Sequence, residues 1–128
     1  MKQLLLTLPF ACLVLFASAQ YTMRPVDELI NKTDPAWPVL KKMIKSAKNK
    51  VEVLPVDTTQ GKDALYKTQV TTHSIMGAIV YSTGGLLVDN GWIRILGSGS
   101  PALQRTLPDW NKGKAFQEFG AGGGAVFV

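Results

Sequence analysis

The groups in this 128-residue chain best suited to chemistry are the glycines and hydroxyls of Gly97-Ser98-Gly99-Ser100-Pro101-Ala102 and the single histidine, His73. The loop fits the letters of a dinucleotide-binding turn, follows an expected strand and opens an expected helix. Free backbone N–H groups there would cradle a phosphate. The context argues otherwise: no βαβ unit follows, Pro108 cuts the helix short, and Glu118 does not end a strand. A Gly/Ser turn feeding a capped helix accounts for the same letters. A looser anion or ligand loop, with Ser98, Ser100 and Arg105 contributing, stays open.

The serines and His73 also suggest a Ser-His-acid hydrolase. There is no G-x-S-x-G elbow, and nothing in the sequence brings Ser98 or Ser100 to His73. Within Thr71-Thr72-His73-Ser74 the imidazole reads as an exposed or hydrogen-bonding group. Asp57, Asp63, Asp89 and Asp109 lack calcium-loop spacing, so no metal site is expected, nor any cofactor. No two carboxylates stand out as an acid and base pair.

Trp92 and Trp110 could form an aromatic platform, although aromatics beside a β-hairpin read more readily as core. Trp37 reads as packing. Polar and aromatic residues nevertheless concentrate at Trp92, Arg94, Ser98, Ser100, Arg105 and Trp110, while no catalytic set can be assembled. The leading expectation is a non-enzymatic binding or interaction domain for a protein or small ligand, those six residues being its candidate face. The alternatives are a serine-type hydrolase and a fragment without independent function.

The first nineteen residues carry an address. Met1-Lys2-Gln3 is a short basic start, Leu4 to Phe16 an apolar run, and Ala17-Ser18-Ala19 a small-residue site. This is the pattern of a secretory signal peptide, with cleavage expected before Gln20 and a periplasmic or secreted product. The run is too short to span a bilayer, so the product is not transmembrane. Pro9-Phe10-Ala11 ahead of Cys12 does not make a lipidation box. Cleavage removes Cys12, the one cysteine, and with it any disulfide, thiol nucleophile or thiolate ligand. Residues 20–119 then suffice for one domain, and 120–128 form a Gly-rich tail. Lys2 leaves too, so 13 basic side chains face 9 acidic ones. Most of the excess lies at Lys41, Lys42, Lys45, Lys48 and Lys50, which read as a solvated helix face. An anionic surface is the other reading, but export makes nucleic acid an unexpected partner.

The elements that must position these groups follow from punctuation and periodicity. Pro25 as a first helical residue, with Asp27 and Glu28 behind it, predicts a helix over about 25–32. Asp34-Pro35 restarts the pattern. Trp37, Leu40, Met43-Ile44 and Ala47 then recur at helical spacing over about 35–48. Val51-Glu52-Val53-Leu54 reads as a strand and 58–68 as a short helix. Ala78–Tyr81, Leu86–Val88 and Trp92–Leu96 read as three strands of an antiparallel meander, the last two joined by a hairpin at Asn90-Gly91. Ser100-Pro101 predicts a further helix start, Pro108 interrupts it, and Gly113 closes a second turn. The fold class is α+β, with N-terminal helices packed on a small antiparallel or mixed sheet.

The run Gly84 to Pro101, with Gly91-Trp92 and Gly97-Ser98-Gly99-Ser100-Pro101 inside it, followed by Arg105-Thr106-Leu107-Pro108-Asp109-Trp110-Asn111, resembles a bacterial family, domain of unknown function 2625. Arg24 to Ile30 resembles its opening helix. The resemblance covers most of residues 21–119 and implies no established activity. Members of that family continue with further strands, whereas Gly120 to Val128 departs from their pattern. The resemblance therefore implies a truncated or frameshifted member lacking its C-terminal half.

Overall fold

A computed structural model describes residues 22–114; the expected leader, Glu118 and the expected tail over 120–128 lie outside the described residues. Within that range the chain runs α1 (Val26–Leu29), α2 (Trp37–Ser46), β1 (Val51–Leu54), α3 (Thr58–Thr68), α4 (Ile75–Ser82), β2 (Gly85–Val88), β3 (Ile93–Leu96) and α5 (Leu107–Asn111). Helices and a three-stranded antiparallel sheet of order β1-β2-β3 make it an α+β fold, as expected.

The first two helices start later or end sooner than their prolines suggest. Pro25 is the N-cap of α1 rather than its first residue, and the helix stops at Leu29, short of residue 32. The Asn31 amide donates to the Thr72 hydroxyl at 2.7 Å, which draws the chain out of helical geometry. The Asn31 side-chain oxygen then accepts from the amides of Thr33 and Asp34. That turn delays α2, whose N-cap is Ala36 instead of Asp34, and Pro38 falls in the tolerant first turn. Trp37, Leu40 and Ile44 face the core, Leu40 being buried. Met43 and Ala47, expected on that face, are exposed.

α4 is the principal correction. Ala78-Ile79-Val80-Tyr81 is not a strand but the middle of a helix capped by Ser74, whose hydroxyl accepts from the Gly77 amide at 3.0 Å. The third strand of the sheet is β1, antiparallel to β2 with Leu54 opposite Gly85. α4 joins the two core clusters. Val80 packs with Leu29, Ala64 and Leu65, and Ala78 packs with Ala36 and Leu40. Gly77 permits this close passage, because a Cβ there would overlap the Thr71 carbonyl.

The hairpin from β2 to β3 turns where Asn90-Gly91 predicts it. Asp89 and Asn90 take left-handed backbone angles (φ 49° and 57°), and Val88 pairs with Ile93. After β3, residues 100–106 form a turn rather than a helix, with Ser100 bridged to Leu103. The helix begins at Leu107, capped by Thr106, so Pro108 lies in the first turn of α5 and does not interrupt it. Gly113, just past the C-cap, has φ 74° and ends the helix as expected.

Candidate functional site

The Gly97–Pro101 loop is pinned to the end of α4 by its own backbone. The Ser98 amide donates to the Thr83 carbonyl at 3.2 Å, the Gly99 amide to the Gly84 carbonyl at 3.0 Å, and the Leu107 amide to the Gly97 carbonyl at 2.9 Å. The Ser98 hydroxyl is buried and donates to the Thr83 carbonyl at 2.9 Å. Ser100 Oγ accepts from the Ala102 amide at 3.3 Å. The Ser98, Gly99 and Ala102 amides, on which a phosphate cradle would draw, are therefore already bonded within the fold, and the loop forms a wall.

That wall borders a cleft of about 410 Å³. On one side stand Gln60, Asp63 and Lys67 of α3; on the other stand Ser98, Ser100 and Arg105 of the loop. The carboxylates here have local partners. Asp63 pairs with Lys67 at 2.7 Å, one turn along α3. Asp109 accepts from the Thr106 hydroxyl at 2.7 Å, while its amide donates back to that oxygen at 3.1 Å. This reciprocal cap fixes the start of α5.

A second, wider cleft of about 740 Å³ shares Leu103, Gln104 and Arg105 with the first and adds Arg94, Leu96 and Trp110. Arg105 lies over the Trp110 ring, 5.2 Å from its centroid, and Lys114 approaches the same ring to 3.6 Å. Arg94 donates to the Gly91 carbonyl at 3.4 Å. Among the described residues no carboxylate forms an ion pair with Arg94 or Arg105. Two guanidinium groups, an indole and a leucine floor thus meet at one opening. Such a constellation suits a ligand with an anionic group beside an apolar or planar one.

Of the six residues expected at the site, Ser98, Ser100 and Arg105 line the first cleft and Arg94, Arg105 and Trp110 the second. Trp92 lines neither. It stands at the hairpin tip with 85% of its surface exposed, and Trp110 is 46% exposed, so neither indole is core. Trp37 is packing, against Ala36, Leu40 and Ala78. His73 is exposed, and its Nδ1–H donates to the Asp34 carbonyl at 2.9 Å, with the Asp34 carboxylate at 3.4 Å. Ser98 and His73 are thus held by different partners. Among the described residues no group of three His, Cys, Asp or Glu side chains could hold a metal ion.

Gln60, Asp63 and Lys67 escaped the sequence reading of the site. Their spacing of three and four residues on an expected helix was the available signal. A third, apolar groove of about 310 Å³ lies elsewhere, between Ile75, Met76 and Ile79 of α4 and Ile95, Leu96 and Leu107.

A family model described as "Protein of unknown function DUF2625" matches residues 26–128. The chain is 48% identical over 94 residues to the uncharacterised protein YbfG of Escherichia coli K12, covering 73% of this chain and 44% of that one. It is 43% identical over 98 residues to an uncharacterised protein of Haemophilus influenzae Rd, covering 77% of this chain and 43% of that one. The chain spans less than half the length of these curated relatives. No solved structure matches it.

Proposed function

The chain belongs to the protein family of unknown function DUF2625, and on that premise we propose that it is an exported, non-enzymatic binding domain whose ligand enters the two clefts that meet at Arg105. The observation that carries this reading is the pair of guanidinium groups, Arg94 and Arg105, lacking an ion-pair partner among the described residues beside the half-exposed Trp110. A carboxylate or phosphate would bond to both arginines. An apolar or planar part would cover Leu96, Leu103 and Trp110.

The catalytic alternative lacks comparable support. The Ser98 hydroxyl is committed to Thr83 and His73 to Asp34, while the Ser100 hydroxyl oxygen accepts from the Ala102 amide. Export rests on the basic start, apolar run and Ala17-Ser18-Ala19 site of residues 1–19.

Two experiments test the proposal. Candidate anionic ligands and exported proteins are offered to the immobilised chain and to its Arg105→Ala and Trp110→Ala variants. Retention by the parent that falls at least tenfold in each variant supports the clefts; retention equal in all three contradicts them. N-terminal sequencing of the protein from a periplasmic extract should begin at Gln20, and a chain found only in the cytosolic fraction and starting at Met1 contradicts export.

A further inference from the structure

β3 lies at an edge of the sheet, and the groove beside it is apolar throughout. The strand pairs with β2 on one side only. Among the described residues no other backbone bond reaches Ile93–Leu96, so its outer N–H and C=O groups have no ladder partner. Just past the strand the Leu107 amide donates to the Gly97 carbonyl, and α5 begins there.

The register makes one face of the sheet apolar. Val53, Leu86 and Ile95 stand opposite one another, as do Val51, Val88 and Ile93. Cross-strand partners share a face, and so do residues two apart on a strand. Leu86 at the centre is buried, whereas Val53, Ile93 and Ile95 are exposed, Ile93 by 51%. Ile95 carries this face into the groove, which Leu96, Leu107 and the α4 residues Ile75, Met76 and Ile79 complete. Those three lie within about 100° of one another around α4, on the side away from Gly77 and its close passage of Thr71. Ile75 and Met76 are themselves exposed.

We propose that the groove and the β3 edge seat a β-strand from the part of the DUF2625 polypeptide that lies outside the stretch matched here. The chain covers 44% and 43% of its two curated relatives, so more than half of each relative is polypeptide beyond that stretch. A strand satisfies both surfaces at once. Its backbone completes the β3 ladder, while its alternate apolar side chains fill the groove and cover Ile93 and Ile95. A bilayer core offers the open edge no hydrogen bonds, and a nucleic acid needs a cationic lining, which the groove lacks. The groove shares only Leu96 with the second cleft, so the inference is independent of the ligand proposed there.

Overlapping peptides test this, because strand addition needs only an extended segment. Peptides of about 15 residues, longer than a typical strand, are synthesised across the part of YbfG outside its matched 94 residues and probed with the full chain. A run of neighbouring peptides should retain the parent, and their scrambled versions should not. With such a peptide bound, amide exchange over Ile93–Leu96 should slow roughly tenfold. The double variant Ile75→Gln, Met76→Gln should be retained about tenfold less, and Ile93→Thr, a change that a strand accepts, should also lose retention. Val39→Gln, which alters an exposed apolar residue outside the groove, should be retained like the parent. Circular dichroism establishes that each variant keeps its fold.

If no peptide retains the parent above its scrambled version, the proposal is overturned. It is overturned too by retention indifferent to the Ile75 and Met76 changes, or by slowed exchange confined to other elements. A parent that sediments as a dimer, and as a monomer once Ile93 is changed, assigns the edge to a second copy and also overturns it.

Discussion

The Ser98 hydroxyl and the Thr83 carbonyl are joined at 2.9 Å, and the Ser98 amide donates to that same oxygen at 3.2 Å. This double contact ties the loop after β3 to the residue that ends α4. It sets the wall of the first cleft and keeps Ser98 out of solvent. Of the two serines that a sequence reading offers as nucleophiles, Ser98 is thus a structural fastening.

Ser98→Ala should accordingly lower stability by about 1 kcal/mol, the usual cost of one buried hydroxyl hydrogen bond. The Thr83 carbonyl keeps the amide bond, so the loop should hold its path. Urea denaturation measures the loss. The parent should resist a fluorophosphonate probe, and labelling of Ser98 that disappears in His73→Ala would restore the hydrolase reading.

Gly77→Ala should be far more costly, at about 3 kcal/mol, because the added methyl overlaps the Thr71 carbonyl. Helix propensity alone would make this substitution favourable by roughly 1 kcal/mol. The sign of the measured change therefore decides between close packing and propensity. A stabilised variant would mean that α4 does not pass Thr71 this closely.

The elements legible in the sequence were those with local causes. The hairpin followed from Asn90-Gly91, β1 from the alternation of Val51 to Leu54, and the extent of α3 matched residues 58–68. α4 was misread because Ile75 to Tyr81 is apolar all round, as befits a helix packed on two clusters, and so shows no helical alternation. Its Ser74 cap was the one local sign of a helix. The clefts were only half legible. Arg94, Arg105 and Trp110 could be guessed from type, but the facing wall of α3 is brought in by tertiary packing between α3, α4 and α5. Sequence proximity groups Trp92 with them, and at the hairpin tip its ring is exposed to solvent.

The two indoles should therefore part company. Trp92→Ala should leave stability within about 0.5 kcal/mol and leave ligand retention unchanged, since the ring lines neither of the two clefts that meet at Arg105. Trp110→Ala removes the surface on which Arg105 and Lys114 rest and should weaken retention at least tenfold. Equal losses in the two variants would place Trp92 in the binding face after all. Circular dichroism of each variant separates a binding defect from a folding one.

Leu40 and Leu65 sit in different clusters, yet both clusters contain residues of α4. A helix shared in this way should make them unfold as one unit. Leu40→Ala and Leu65→Ala should each cost about 2–5 kcal/mol, and each should shift a single urea transition rather than split it. Far-ultraviolet circular dichroism reports the helices, and tryptophan fluorescence includes Trp37 beside Leu40. The two signals should give one midpoint in the parent and in both variants. Were Leu40→Ala to move only the fluorescence transition, α2 would be melting on its own. α4 would then be joined firmly to the Leu65 cluster alone, and the lysine-bearing helix would be a separately mobile unit.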